Sequence, residues 1–413
     1  MQNIEAYSVN KMTYWKVHHM PNSIEKDYYI WRLLKQKNTS KLEANNIIKE
    51  VFHMNKKLHV AFKNKTGISA PEIKSKEGTV LDIIWKRRSR ANKYFIKALQ
   101  LLKHNNNKLA TFYFAAAEKN YIKRYEKDKA LFWLYLSTKN IDYLKKLHKS
   151  YHPNIYTLIA ADRIKGKYPK TITEQIRRKR IAGFNIKDPI SWVKIKDKMN
   201  HSSTARIQRQ ANKYASQETI GIYTFLKAKA CDHTKAYFPM PYRDVMQQLP
   251  LQRQALIYAI ARQESRFVTA SVSPSFALGM MQFMPFLIED IAKHKKEKID
   301  LDDIFDPYKS IEYANFHLKY LEKYLMHPLF IAYAYNGGIG FTRKHLRNDA
   351  HFRNGKYEPY MSMETMENVE SREYGKKVLA NYVIYMNKLG SSTRIFSLLK
   401  ILTTPQKTDT FRR

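Results

Sequence analysis

Through the first 230 residues apolar positions recur at helical spacing and are interrupted by short polar turns. The segments YYIWRLLKQ, KLEANNIIKEVFHM, VLDIIWKRRSRANKYFIKALQLLK, KLATFYFAAAEKNYIKRY and ALFWLYLSTK followed by NIDYLKKLHK each predict an amphipathic helix. The cleanest stripe is Ala91, Tyr94, Phe95, Ala98 and Leu102, at i, i+3, i+4, i+7 and i+11. Leu81, Ile84 and Trp85 begin a similar stripe one segment earlier. Short helices on short turns predict stacked helix pairs, an α-superhelical ring or solenoid over residues 1–231. No repeat signature recurs cleanly, so helix pairs are the unit expected, with their aromatic stripes as core.

The pattern changes twice more. Residues 232–250, DHTKAYFPMPYRDVMQQLP, bring a proline cluster, lose the periodicity and read as a linker. Residues 251–390 hold less lysine, more glycine, serine and methionine, and several short motifs in sequence. Residues 391–413 read as a tail, with one or two apolar helical turns and a frayed basic end.

Composition narrows the fold. The 12 glycines and 14 prolines are about 6% of the 413 residues, roughly half the usual share, which excludes a many-stranded sandwich or barrel. The chain is therefore mostly α. One cysteine, Cys231, excludes an internal disulfide framework and cysteine-rich metal sites. The longest apolar runs, such as ALFWLYL at 130–136, fall far short of the roughly 20 residues of a transmembrane segment. The first twenty residues contain neither an apolar stretch nor a small-residue cleavage site of the kind a secretion signal needs.

Charge is divided as the pattern is. Residues 1–250 carry 50 basic against 19 acidic side chains, a net of +31, whereas residues 251–390 carry 19 against 16. Such a field favours polyanionic partners. Nucleic acid, an anionic membrane surface and a carboxylate-rich wall polymer all qualify on charge alone.

Chemistry concentrates after residue 251. In LQRQALIYAIARQESRF, Ile257, Ile260 and Glu264 fall on one stripe, so a carboxylate terminates an apolar run. Burial at such a position disfavours the charged form and makes a glutamate a usable general acid near neutral pH. SVSPSFALGMMQFMP follows, with Ser273 and Gln282 able to line a cleft, then AYAYNGG, whose glycines after Asn336 let backbone approach a ligand. In NVESREYGKKVLANYVIY, Glu370 and Tyr374 share a helix face. Asp306-Pro307 reads as a helix N-cap followed by proline at the first helical position. The acids at 300, 302, 303 and 306 lack the glycine of a calcium loop, where Phe305 stands, and no metal ligand set is expected. Arg262 and Arg372 read as ion-pair partners in the cleft wall.

ARQESRF, SPSFALGMMQFMP, AYAYNGG and ESREYGKKVL, in that order, resemble the motifs of the soluble lytic transglycosylases, family 1 of the enzymes that cleave peptidoglycan glycan strands. PMPYRD before them looks like the family's lead-in, and the likeness covers roughly 236–390. The resemblance implies a lysozyme-like, mainly helical catalytic domain behind an α-superhelix. It implies Glu264 as sole catalytic acid and base, and Ser273 as the residue orienting the carboxylate or the sugar's acetamido group. Gln282 and Met284 would line the cleft, Tyr335 and Asn336 would flank the scissile sugar, and Glu370 and Tyr374 would bind substrate at the far wall.

Further expectations follow from the resemblance. No cofactor is implied, and no nucleic acid partner is expected. The partner would be the glycan strand, with proteins of a wall-synthesis complex as further candidates. The location would be periplasmic, which with this N-terminus implies an internal or truncated start. Phe276 stands where the family usually has glycine, and His317 where it commonly has tyrosine. The competing readings are a basic solenoid that binds nucleic acid or protein, an inactive wall scaffold, and a lysozyme-like hydrolase.

Overall fold

A computed structural model describes residues 12–71, 79–177 and 179–412. The first eleven residues and the side chains of Leu81, Ile84 and Trp85 lie outside the described residues. The chain is mostly helical, and among the described residues the extended pairings are isolated bridges.

Successive helices pack on one another as the periodicity requires. Thr79–Lys103 lies against Asn107–Asn120, which lies against Arg124–Thr138, and the series continues through Asp142–His148 to Ile155–Arg163. Ala91, Phe95, Ala98 and Leu102 are buried in this array, with Tyr94 at its margin. Phe95, Phe114 and Trp133 pack ring on ring across three successive helices, with Phe114 and Trp133 stacked at 5.6 Å. Each helix thus buries its stripe only by gaining the next one.

One expected helix stops early. KLEANNIIKEVFHM forms Lys41–Ile47 and a 3₁₀ turn, Ile48–Glu50, and then leaves helical geometry. The Asp27 carboxylate accepts the amides of Phe52 and His53, at 2.8 and 2.7 Å, so those donors are no longer available to a helix. Acids elsewhere in this part also face inward. Asp128 accepts from Ser150 and Asn154, each at 2.8 Å, and pairs with Arg124, while the buried Glu25 pairs with Lys196.

The later helices are built around Val369–Lys388. Leu251–Glu264 and Pro328–Gly337 both pack on it, and Pro307–Glu322 packs on those two. Gly375 makes this close approach possible, because a Cβ there would stand 2.2 Å from the Tyr333 ring. Asp306 caps Pro307–Glu322, with proline at the first helical position, as the sequence predicts. Asp300 and Asp302 are engaged by Arg32 from helix Ile24–Lys35.

Between the two sets of helices, the 232–250 segment is strapped down. Phe238 is fully buried under the Arg262 guanidinium at 3.7 Å, and Tyr385 and Tyr258 donate to the carbonyls of Pro239 and Pro241. The 391–413 tail differs from the frayed end expected of it. After helix Ile395–Lys400 it folds back, Leu325 bridges to Asp409, and the Arg412 guanidinium pairs with Asp409 at 2.7 Å with both side chains buried. Arg412 also donates to the carbonyls of Phe352 and Leu402, so its guanidinium is engaged inside the fold.

Candidate active site

Glu264 is the last residue of Leu251–Glu264, one turn beyond the buried Ile257 and Ile260. The residue keeps some solvent contact, yet its carboxyl is closely surrounded by protein. That burial pushes its pKa up to about 7, opposed by a hydrogen bond from Tyr374 and reinforced by the charge of Glu370. The Tyr374 hydroxyl donates to Glu264 Oε1 at 2.7 Å from helix Val369–Lys388. Ser265, the next residue, is buried and donates to the Met280 carbonyl at 2.8 Å, which ties the helix end to the following loop.

That loop is held from within. Ser273 accepts the Ala277 amide on its hydroxyl at 2.9 Å, and its carbonyl accepts the Phe276 amide at 2.8 Å, closing a tight turn. Among the described residues the hydrogen bond that holds Glu264 therefore comes from Tyr374, while the Ser273 hydroxyl braces its own loop. The Gln282 amide donates to the carbonyls of Ser271 and Gly279, and Met284 stands at the N-cap position of helix Pro285–Lys295 without a side-chain cap bond. Phe276 lies in the left-handed region, at φ 59°, with its ring fully buried against Tyr28 and Trp31 of helix Ile24–Lys35. Asn55 and Lys57 donate to the carbonyls of Pro274 and Ser275, each at 2.8 Å. The helices before residue 70 thus grip the loop.

A third element closes the group. The Tyr335 hydroxyl donates to the Met281 carbonyl at 2.9 Å, and its phenol is pushed up by burial and then by the charge of Glu264. Asn336 is pinned on both sides. Ser371 donates to its Oδ1 at 2.7 Å, and its own amide reaches Glu370 at 3.4 Å. Gly337 is required here, because a Cβ would stand 2.6 Å from the Ser371 hydroxyl. The structure therefore links Glu264 to Tyr374, Asn336 to Glu370, and Tyr335 to the loop that carries Gln282.

Two positions differ from their reading or were missed. Among the described residues Arg262 makes no ion pair; it donates to the Tyr237 carbonyl and to Asn381 and covers Phe238, and burial lowers its pKa to about 10. Arg372 does pair, with Glu373 at 3.3 Å. Ser371 was not anticipated, although its place three residues after the N-cap Asn368, opposite an Asn-Gly-Gly turn, was a usable signal.

The site is thus one protonatable carboxyl at a helix end, with hydroxyls and amides of neighbouring helices and a loop fixed beside it. Residues 246–357 match the family model described as Transglycosylase SLT domain. The chain is 25% identical over 268 residues to the soluble lytic murein transglycosylases of Salmonella typhimurium and Escherichia coli. In each case 59% of this chain and 40% of the relative is covered, so the matched stretch spans well under two thirds of the relatives' length. The crystal structure of the 70 kDa soluble lytic transglycosylase of Escherichia coli aligns with a TM-score of 0.49 and 18% identity, over 97% of this chain and 68% of that one. Residues 246–357 are thus similar to the SLT transglycosylase domain, and the longer stretch of likeness is to soluble lytic murein transglycosylases.

Proposed function

We propose that the protein is a peptidoglycan lytic transglycosylase and that Glu264 alone serves as acid and then base. The observation that carries this reading is the Glu264 carboxyl, protonated up to about pH 7 and oriented by Tyr374. A glycosidase using water ordinarily needs two carboxylates at a set separation. Glu370, the acid whose charge bears on Glu264, is engaged with Asn336, which supports a single-carboxylate mechanism.

In this mechanism Glu264 donates its proton to the oxygen joining N-acetylmuramic acid to N-acetylglucosamine, and the C1–O bond breaks. The muramic acetamido group, met by Asn336, stabilises the positive charge at C1. The Glu264 carboxylate then takes the proton of the muramic 6-hydroxyl as O6 bonds to C1, leaving a 1,6-anhydro end without consuming water. Tyr335, Gln282, Met284 and Ser273 line the cleft, with Glu370 and Tyr374 on the opposite wall.

In that reading residues 251–390 form the catalytic part, 1–231 the basic holding part, 232–250 their connection and 391–413 the tail. The place of action is the periplasm, where the polymer lies. The test is a digest of purified sacculi with wild type and Glu264→Gln, read by mass spectrometry. Anhydro-muropeptides from wild type alone are the expected result. Reducing-end products would make it a hydrolase, and sacculus binding without release by either protein would make it a scaffold.

A further inference from the structure

Five aromatic rings run in series from Tyr335, whose phenol feels the Glu264 charge, to the tail. Tyr335 meets His317 edge-on at 5.6 Å, and His317 lies nearly parallel to Tyr320 at 6.3 Å. Tyr320 meets Tyr324 edge-on at 5.8 Å, their planes 70° apart, and Tyr324 stacks on Phe411 of the tail at 5.9 Å. His317, Tyr320 and Tyr324 are spaced i, i+3 and i+7, along one face of helix Pro307–Glu322 and the turn that follows it.

The row is fixed at both ends. At its inner end Tyr335 hydrogen-bonds the Met281 carbonyl and feels the Glu264 charge. At its outer end the Thr410 amide donates to the Tyr324 carbonyl at 2.9 Å, next to the buried Arg412–Asp409 pair. Between them Tyr320 and Tyr324 are 42% and 37% exposed. Part of the burial that such rings could gain is thus left open at these two positions. Burial lowers the His317 pKa to about 4, so the ring joining the row to the cleft is uncharged at neutral pH.

Adjoining tyrosine rings that turn edge to face, each with one face left by its neighbour and a polar rim, suit the flat C–H face of a pyranose ring with hydroxyls around its edge. Continuity with Tyr335 selects the occupant, the same polymer that enters at Glu264. Exposed Lys319 and Lys323, beside these tyrosines in sequence, place positive charge where a strand bearing carboxylates would lie.

We propose that Tyr320, Tyr324 and Phe411 form an outer track for the glycan strand, on which sugars beyond those at the cleft stack. This rests on the glycan-cleaving reading of Glu264. Its test measures binding separately from cleavage. Glu264→Gln protein, alone and with Tyr320→Ala and Tyr324→Ala together, is titrated with long glycan strands released from sacculi and with a tetrasaccharide of the same sugars. Tyr320→Phe with Tyr324→Phe and the two single alanine variants serve as controls, and thermal unfolding checks each fold.

The double alanine variant should bind long strands five- to fiftyfold more weakly and the tetrasaccharide unchanged, with affinity retained by the phenylalanine pair. In the active protein KM for long strands should rise with little change in kcat. Unchanged binding of long strands would overturn the track, including the case in which a protein covers these rings. Equal losses for both ligands would also overturn it. A wild type that binds long strands through these tyrosines but releases no product would overturn the cleavage reading and leave the track standing.

Discussion

Phe276 holds a left-handed backbone, φ 59°, while its ring lies 5.7 Å from that of Trp31, so a strained turn is held by a helix 245 positions earlier in the chain. A bulky residue there costs on the order of 1 kcal/mol that glycine would not. The buried ring more than offsets it, since removing a core phenylalanine costs about 3–5 kcal/mol. Phe276→Gly should therefore lower stability by about 2–4 kcal/mol in denaturant titration, despite relieving the backbone. Trp31→Ala should reduce turnover through the same loop without touching the cleft.

Glu264 ties activity to pH. The first step needs its protonated form, so kcat/KM should fall about tenfold per unit above pH 7. The Tyr374 hydrogen bond lowers this pKa, so Tyr374→Phe should move the alkaline limb to higher pH. The same variant should slow turnover by about ten- to a hundredfold, because the carboxyl loses its orientation. A pH–rate profile of the two proteins checks both.

The same group should tax stability. Its folded pKa of about 7 lies above the ordinary 4.5, so the folded state gains from its proton at low pH and loses that gain as pH rises towards 7. Glu264→Gln avoids the cost of a buried charge. It should be more stable than wild type by about 1–3 kcal/mol at pH 8, with the gap closing near pH 4. Paired unfolding curves at the two pH values decide it.

Lys376 is a further target. Its buried ammonium bonds Glu364 at 2.8 Å and Glu373 at 3.0 Å, and Tyr125 and Tyr156 of the array donate to the same two acids. Lys376→Met would leave buried carboxylates uncompensated, a loss of about 3–5 kcal/mol at neutral pH. Burial opposes ionisation of Glu373, but Lys376, Lys129 and Arg372 hold it well below the ordinary carboxylate range. Its stabilising share is thus present above pH 4.5 and lost in acid, so the difference between variant and wild type should narrow there.

What was legible in the sequence was whatever depends on neighbours in the chain. The stripe at 91–102, the cap at Asp306-Pro307 and the glutamate closing an apolar run all follow from local spacing. What was illegible depends on distant partners. Tyr374 reaches Glu264 across 110 positions, and Asp27 ends a helix by taking amides 25 and 26 residues on. Phe276 looks like an obstacle until Tyr28 and Trp31 are seen around it. The basic tail reads as solvated because nothing nearby announces that Asp409 will be buried with Arg412.

The inward-facing acids of the array have an outward counterpart. Glu25, Asp27, Glu126 and Asp128 are all buried, so they are spent as internal fasteners among the 19 acids that face 50 basic side chains over residues 1–250. With those four acids inside, 15 acids remain against the 50 basic side chains of this stretch. Such an excess gathers mobile anions, and a polymer that displaces them is held by a diffuse field at no fixed register. On the proposed reading of residues 1–231 as a holding part, a strand held in this way would slide lengthwise without releasing, and raising the salt would turn sliding into departure.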